Sequence, residues 1–344
     1  MKEGLKVEYI YEYGLFFAKT LTFLVAIVII IAMIAGAANK PKSKEGSLQV
    51  DDLSAKLKQL KDDFLANTLD KKALKALKKE QKKAAKSDSG DAEQERLYVI
   101  DFTGSMDAHE VESLREEVTA ILTLADKQKD KVLVRLESGG GVVHGYGLAA
   151  SQLARLKAAQ IPLTIAIDKV AASGGYMMAC VGDEIIAAPF AIVGSIGVVA
   201  QIPNFNKVLK KNDIDLELIT AGQYKRTLTL FGENTDEGRE KFRQEIEQTH
   251  QLFKHFVSEH RPELDLGTVA TGEHWFAIDA KEKGLVDRIT TSDDELLALS
   301  KERQAYKVSY KKKQGLADKV AHSLSLAVEK AGLKIWSKGQ RLRP

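Results

Sequence analysis

From Leu21 to Ala38 the chain carries 18 consecutive uncharged residues, most of them Ile, Val, Leu and Ala. In lipid such a run must satisfy its own backbone N–H and C=O groups, which a helix does. At helical rise it covers about 27 Å, enough to cross most of a hydrocarbon core. The longer stretch Leu15–Ala38 holds a single charge, Lys19, near one end, where a long side chain reaches the interface. Tyr9, Tyr11, Tyr13, Phe16 and Phe17 suit the headgroup region. A cleaved signal peptide is the alternative, with Ala35-Gly36-Ala37 as a candidate cleavage site. The apolar run, however, exceeds a signal core of about 7–15 residues, and the leader mixes Glu3, Glu8 and Glu12 with Lys2 and Lys6. A retained single-pass anchor over 15–38, behind a short segment 1–14, is therefore predicted, and the membrane is its partner. Lys40, Lys42 and Lys44 follow the span directly, which by the positive-inside rule places the large C-terminal portion in the cytoplasm.

Residues 39–95 are lysine-rich, and Leu53, Leu57, Leu60 and Phe64 recur at helical spacing. This reads as a solvated helical stalk, with contact to anionic headgroups as an accessory. No aromatic residues interleave the lysines to stack on bases, so a nucleic-acid partner is not expected. The net charge of +3 does not call for an anionic partner either.

From Arg96 the pattern changes. LYVIDF (97–102), KVLVRLE (131–137) and PLTIAID (162–168) read as strands, with helices over 109–125 and 142–159 between them. Another helix starts near Ser173, EIIAA follows, a strand is predicted near Asp215–Thr220, and a long charged helix runs through Glu240–His260. Strands alternating with helices imply an α/β layer structure with parallel pairing over 96–310. At 344 residues and 44% hydrophobic content the chain can bury a sizeable core. The basic tail 311–344, with Trp336, is partly helical in pattern.

Ser173 opens that helix in Ala-Ala-Ser-Gly-Gly-Tyr (171–176). A helix N-terminus presents unpaired amides and the positive end of the helix dipole, so Gly174 N–H suits an oxyanion forming beside Ser173. Taken alone, Ser-Gly-Gly marks close helix packing just as well. A second glycine turn, Gly139-Gly140-Gly141, also leaves a strand and opens a helix. It lacks the Lys-Ser/Thr of a P-loop, and Gly140 and Gly141 are candidates for the other half of an oxyanion hole. There is no Gly-x-Ser-x-Gly elbow and no His-Glu-x-x-His motif. His250, His255 and His260 recur every five residues, about 140° apart on a helix, and read as a solvated face; His144 reads likewise. With one cysteine, Cys180, no multi-cysteine metal site is available, and neither metal nor organic cofactor is expected.

These glycine turns, with Val-Gly-Ser-Ile-Gly-Val (193–198), Ala-Gly-Gln-Tyr-Lys-Arg (221–226), Thr-Gly-Glu-His-Trp (271–275) and Lys-Gly-Leu-Val-Asp (283–287), occur in an order that resembles the signal peptide peptidase A family of serine peptidases. The resemblance covers roughly residues 96–290. It implies a ClpP/crotonase-like fold of repeated β-β-α units and a Ser-Lys dyad: Ser173 as nucleophile, Lys225 as general base and Ser195 as the residue orienting the lysine. It also implies assembly, because dyad members in that family come from neighbouring protomers or repeated domains. The family further implies a bacterial inner-membrane enzyme facing the periplasm, against the cytoplasmic side that the lysines favour. Glu137 and Gly139 stand where relatives often read Asn-Ser-Pro, and Arg226 follows the lysine.

The chemistry makes a demand on the lysine. A free lysine titrates near 10.4, so at pH 7 only about 1 in 2,500 is neutral, and a useful base needs roughly 4 kcal/mol of help from burial. Tyr224, Leu228, Leu230 and Phe231 are its apolar sequence neighbours. Peptide or protein segments at the bilayer are the substrates expected of such an enzyme. A crotonase-type acyl-CoA enzyme and a non-catalytic membrane scaffold are the competing readings; thioester turnover, or function surviving loss of Ser173, would mark them.

Overall fold

The computed structural model describes residues 14–25, 46–76, 79 and 95–312. The chain divides into two compact units, one of Met1–Ser47 with Lys311–Pro344 and one of Leu48–Tyr310. In the first unit, residues 14–25 are helical and exposed. No helix among the described residues is long and apolar enough to cross a membrane. Residues 26–38 of the predicted anchor, most of the lysine run and the tail beyond 312 lie outside the described residues.

The second unit is built on a seven-stranded sheet in the order β1-β10-β2-β3-β4-β6-β9. Its strands are β1 (Ser47–Asp52), β2 (Arg96–Thr103), β3 (Lys131–Glu137), β4 (Leu163–Ile167), β6 (Glu184–Ala187), β9 (Arg288–Ile289) and β10 (Gln304–Lys311). Pairing is parallel from β10 through β9. The central strands β2, β3 and β4 are largely apolar because both faces are covered. One face, with Ile100, Phe102, Val132 and Val134, belongs to the main core; the other, with Leu97, Val99, Leu133 and Ala166, forms a smaller cluster with Leu296. Helix α2 (Val111–Leu124) buries Val111, Leu114, Val118 and Ile121, and helix α3 (Val143–Ala158) buries Tyr146, Ala149, Leu153 and Leu156, the 3.6-residue spacing of an amphipathic face.

A second sheet, β5-β7-β8, comprises β5 (Val170–Ala172), β7 (Ile192–Gly194) and β8 (His274–Phe276). Its β5–β7 pair is parallel and its β7–β8 pair antiparallel. The chain thus steps from the large sheet to the small one and then into a helix, as in β4–β5–α4, where α4 is Gly174–Ala179. The α/β architecture with parallel strand pairing that the sequence predicted is present.

Two sequence readings need correction. Residues 39–95 are not all stalk, because β1 joins the edge of the large sheet. Helix α1 (Leu53–Thr68) follows it, capped by Asp52, which accepts from Ala55 N–H at 2.8 Å. Asp52 also accepts from Gln304 Nε2 at 2.9 Å, and Ser54 Oγ accepts from Ala305 N–H at 2.9 Å, so this segment is tied to β10. The strand predicted near Asp215–Thr220 is absent. Its alternation is right for a strand, yet Ile214, Leu216 and Leu218 are about half exposed, and no strand among the described residues pairs with them. A lone strand cannot satisfy its backbone.

Glu117 on α2 is a buried carboxyl whose Oε1 accepts from Tyr310 N–H at 2.7 Å. Burial pushes it up to about 7, against the pull of the Tyr310 amide and with help from the charge of Asp101. The folded chain therefore keeps a proton that the unfolded chain releases. That contribution is full below the ordinary carboxylate range and is lost as pH rises through about 7. Glu117→Gln keeps the acceptor and removes the charge. It is expected to stabilise by on the order of 2–3 kcal/mol at pH 8.5, shrinking to about 1 kcal/mol or less at pH 5. Thermal melts at the two pH values check this, and a pH-independent gain would contradict it.

Candidate active site

Ser173 sits where β5 turns sharply into α4, with φ +53° and ψ −118°. A non-glycine residue holds this region only when its surroundings fix it. Here Ser173 N–H donates to Gly194 O at 2.8 Å and Ser173 O accepts from Met177 N–H at 3.0 Å, so both sides of the turn are pinned. Its neighbours Ala171, Ala172, Gly174 and Gly175 are buried, while Ser173 keeps partial exposure. A strained strand-to-helix turn is how several hydrolase folds present a nucleophile.

The second glycine turn lies directly against the first. Ser138 bridges to Ala171, with its N–H donating to Val170 O at 2.8 Å and its carbonyl accepting from Ala172 N–H at 3.0 Å. Gly140 follows with φ +86°, and a Cβ there would lie 2.8 Å from Ala172 O, Gly174 N and Ser173 Cβ. Only glycine fits. Of the two amides expected to serve from this turn, Gly140 N–H is already engaged, donating to Ser138 Oγ at 3.0 Å. The amides of Gly141 and Gly174 donate to no acceptor among the described residues. Gly174 is the first residue of its helix, so its N–H has no intrahelical partner, and the carbonyl four residues back, Val170 O, is taken by Ser138 N–H.

Ser195 is brought to the same place by register. Ala172 pairs with Gly194 across parallel strands, so Ser173 and Ser195 are the next residues on neighbouring strands about 4.8 Å apart. Ser195 also has φ +53°, and its N–H donates to Glu273 O at 2.6 Å. Gly194 pairs in turn with His274, which carries the 271–275 motif to the edge of the site. Trp275 packs on Gly194, where a Cβ would meet Cε3 at 2.9 Å. The later motif has a structural use: Tyr176 of α4 donates to Leu285 O at 3.1 Å, and Asp287 accepts from Ile185 N–H at 2.7 Å and pairs with Arg261 at 2.6 Å.

Lys225 lies on the excursion between β7 and the long helix α6 (Asp236–His260), whose one regular element is α5 (Asn206–Lys211). The excursion closes on itself: Asn204 Nδ2 donates to Thr229 O and Gly232 O at 2.9 and 3.0 Å, and Phe205 stacks near Phe231. Lys225 is exposed, and Tyr224, Leu230 and Phe231 are each nearly half exposed, so a single chain does not supply the apolar enclosure that the sequence suggested. No hydrogen bond joins Lys225 to Ser173 or Ser195 among the described residues. His144 is exposed on α3, as expected, whereas His250 is half-buried, its Nε2 3.2 Å from Ile196 O. Among the described residues no cluster could hold a metal ion.

The fold is an α/β layer structure that presents Ser173 at a strained strand-to-helix turn, and the sequence places the chain more closely. The pattern of the N-terminal part of peptidase family S49 matches residues 8–153, and that of peptidase family S49 itself matches residues 155–306. The chain belongs to peptidase family S49 and is a peptidase.

Within that family its similarity is to the SohB proteases. The probable protease SohB of Haemophilus influenzae is 50% identical over 320 residues, covering 89% of this chain and 90% of the relative. The probable protease SohB of Buchnera aphidicola subsp. Schlechtendalia chinensis is 49% identical over 305 residues, 85% of this chain and 100% of the relative. Among solved structures, a mutant of a membrane-bound stomatin-specific protease is 12% identical with a TM-score of 0.41, over 60% of this chain and 85% of that one.

Proposed function

We propose that the chain is a membrane-anchored serine endopeptidase working through a Ser173–Lys225 dyad. The observation that carries this reading is the seating of the Gly139–Gly141 turn against the strained Ser173–Gly174 turn, where Gly140 presses on Ser173 Cβ and on the unbonded Gly174 amide, with the unbonded Gly141 amide next in the same turn. Ser173 Oγ attacks the peptide carbonyl as the Lys225 amine takes its proton. Gly174 and Gly141 N–H stabilise the oxyanion, the lysine returns the proton to the leaving amine, and water resolves the acyl-enzyme. Ser195, one strand over from Ser173, orients the lysine. Hydrolysis of fluorescent casein by the full-length chain in detergent tests the reading: fluorophosphonate should abolish activity and a metal chelator should leave it unchanged, and the reverse pattern would overturn it.

Lys225 reaches its partner serine within a homo-oligomer. Supporting this, Ile214, Leu216 and Leu218 present an alternating apolar face on the same excursion as Lys225, and that face suits burial by a second copy. The run 15–38 serves as the anchor in a bacterial inner membrane and confines the enzyme to membrane-associated peptides or misfolded segments. Lys40, Lys42 and Lys44 favour a cytoplasmic catalytic portion. In spheroplasts the Lys72–Lys86 stretch should then resist external trypsin, and cleavage there would place it outside.

A further inference from the structure

Tyr146, in the first turn of α3, is fully buried and touches both halves of the site. Its hydroxyl donates to Ser105 O at 2.8 Å and lies 2.5 Å from Ser138 Oγ. A phenol has one proton, and the carbonyl takes it, so Ser138 is the donor in the Ser138–Tyr146 bond. Ser138 Oγ in turn accepts from Gly140 N–H at 3.0 Å. The donors therefore run one way, from the Gly140 amide to the Ser138 hydroxyl, to the Tyr146 hydroxyl, to the Ser105 carbonyl. Burial holds the phenol above its ordinary value, with the Ser138 bond opposing, so it remains a donor at working pH.

The ring does the second job. A Cβ on Gly174 would lie 2.4 Å from Tyr146 Cγ and 2.7 Å from its Cβ, so the side chain lies flush on the backbone of the nucleophile's helix. One residue thus fixes the Gly139–Gly141 turn through its hydroxyl and the Ser173–Gly174 turn through its ring. We infer that Tyr146 is a positioning residue that sets the separation of the Gly141 and Gly174 amides, acting through Ser138 and never touching substrate. The inference rests on the reading of Ser173 as nucleophile.

Nothing in the sequence marks this role. A tyrosine on the apolar face of a helix reads as core, and only the contacts of its two ends distinguish it.

Tyr146→Phe keeps the ring and breaks the chain of donors. Losing a direct oxyanion donor lowers kcat by about 10²–10³, and loosening one indirectly is expected to lower it by roughly tenfold. KM should stay within about twofold, because the defect lies in the transition state and not in substrate binding. A peptide aldehyde, which adds Ser173 Oγ to its carbonyl and places an oxygen in the same hole, should weaken by the same factor as kcat. Ser138→Ala cuts the chain one bond earlier and supplies a second variant should the phenylalanine protein fold poorly. The double variant should be no worse in kcat than either single one, since both break one chain. A Tyr146→Phe enzyme with wild-type kcat and aldehyde affinity, a loss confined to KM, or additive losses in the double variant would overturn the inference. If instead Ser173→Ala left activity and aldehyde affinity intact, the underlying reading would fall, and the two failures are told apart by that control.

Discussion

Replacing Ser173 by alanine is expected to lower kcat for peptide hydrolysis by about 10⁴-fold or more, equivalent to about 5 kcal/mol of transition-state stabilisation. KM should change little, and thermal stability should hold or improve. The last expectation follows from the backbone. Ser173 occupies φ +53° because Gly194 O and Met177 N–H hold it there, and its hydroxyl makes no hydrogen bond among the described residues. Alanine meets the same backbone demand with the same Cβ, so the fold keeps its strain while the nucleophile is lost. Residual activity should come from the oxyanion amides and binding alone. An alanine variant retaining a tenth or more of wild-type kcat would remove Ser173 from the chemistry.

Replacing Lys225 by alanine should cost activity on a similar scale, because the proposed mechanism has no other group to take the serine's proton. The stronger experiment mixes the two variants. Co-assembled Ser173→Ala and Lys225→Ala chains restore an intact pair wherever a wild-type serine faces a wild-type lysine on its neighbour. Random pairing makes that about a quarter of sites in a 1:1 mixture. Recovery of roughly that fraction, rising with the chance for subunits to exchange, is the expected result. No recovery at all would mean that each dyad forms within one chain. The exposed positions of Lys225 and of Ile214, Leu216 and Leu218 on one excursion motivate the experiment.

The sequence made much of the scaffold legible. LYVIDF, KVLVRLE and PLTIAID are strands because strands covered on both faces are apolar throughout, and that pattern is local. The helices of 111–124 and 143–158 were readable from their stripes for the same reason. What depended on distant partners was not readable. Ser47–Asp52 carries few apolar residues and is a strand because β10, some 250 positions later, extends the sheet to it. Ile214 to Leu218 alternates as a strand should, but alternation reports a face to be buried and not the neighbour that buries it. The site divides along the same line. Ser173 with Gly174 could be suspected from chemistry and assigned only through the family's motifs. That Gly140 presses on Ser173, that its own amide is bound to Ser138, and that Ser195 falls beside Ser173 are matters of packing and register, which no spacing reveals.

The most direct test of a serine peptidase centred on Ser173 is to map the adduct of a fluorophosphonate on the full-length assembled chain by peptide mass spectrometry. A single stoichiometric adduct on Ser173 is expected in the wild type, none in Ser173→Ala, and a much slower one in Lys225→Ala. An adduct on another residue, or labelling that persists unchanged in Ser173→Ala, would contradict the account.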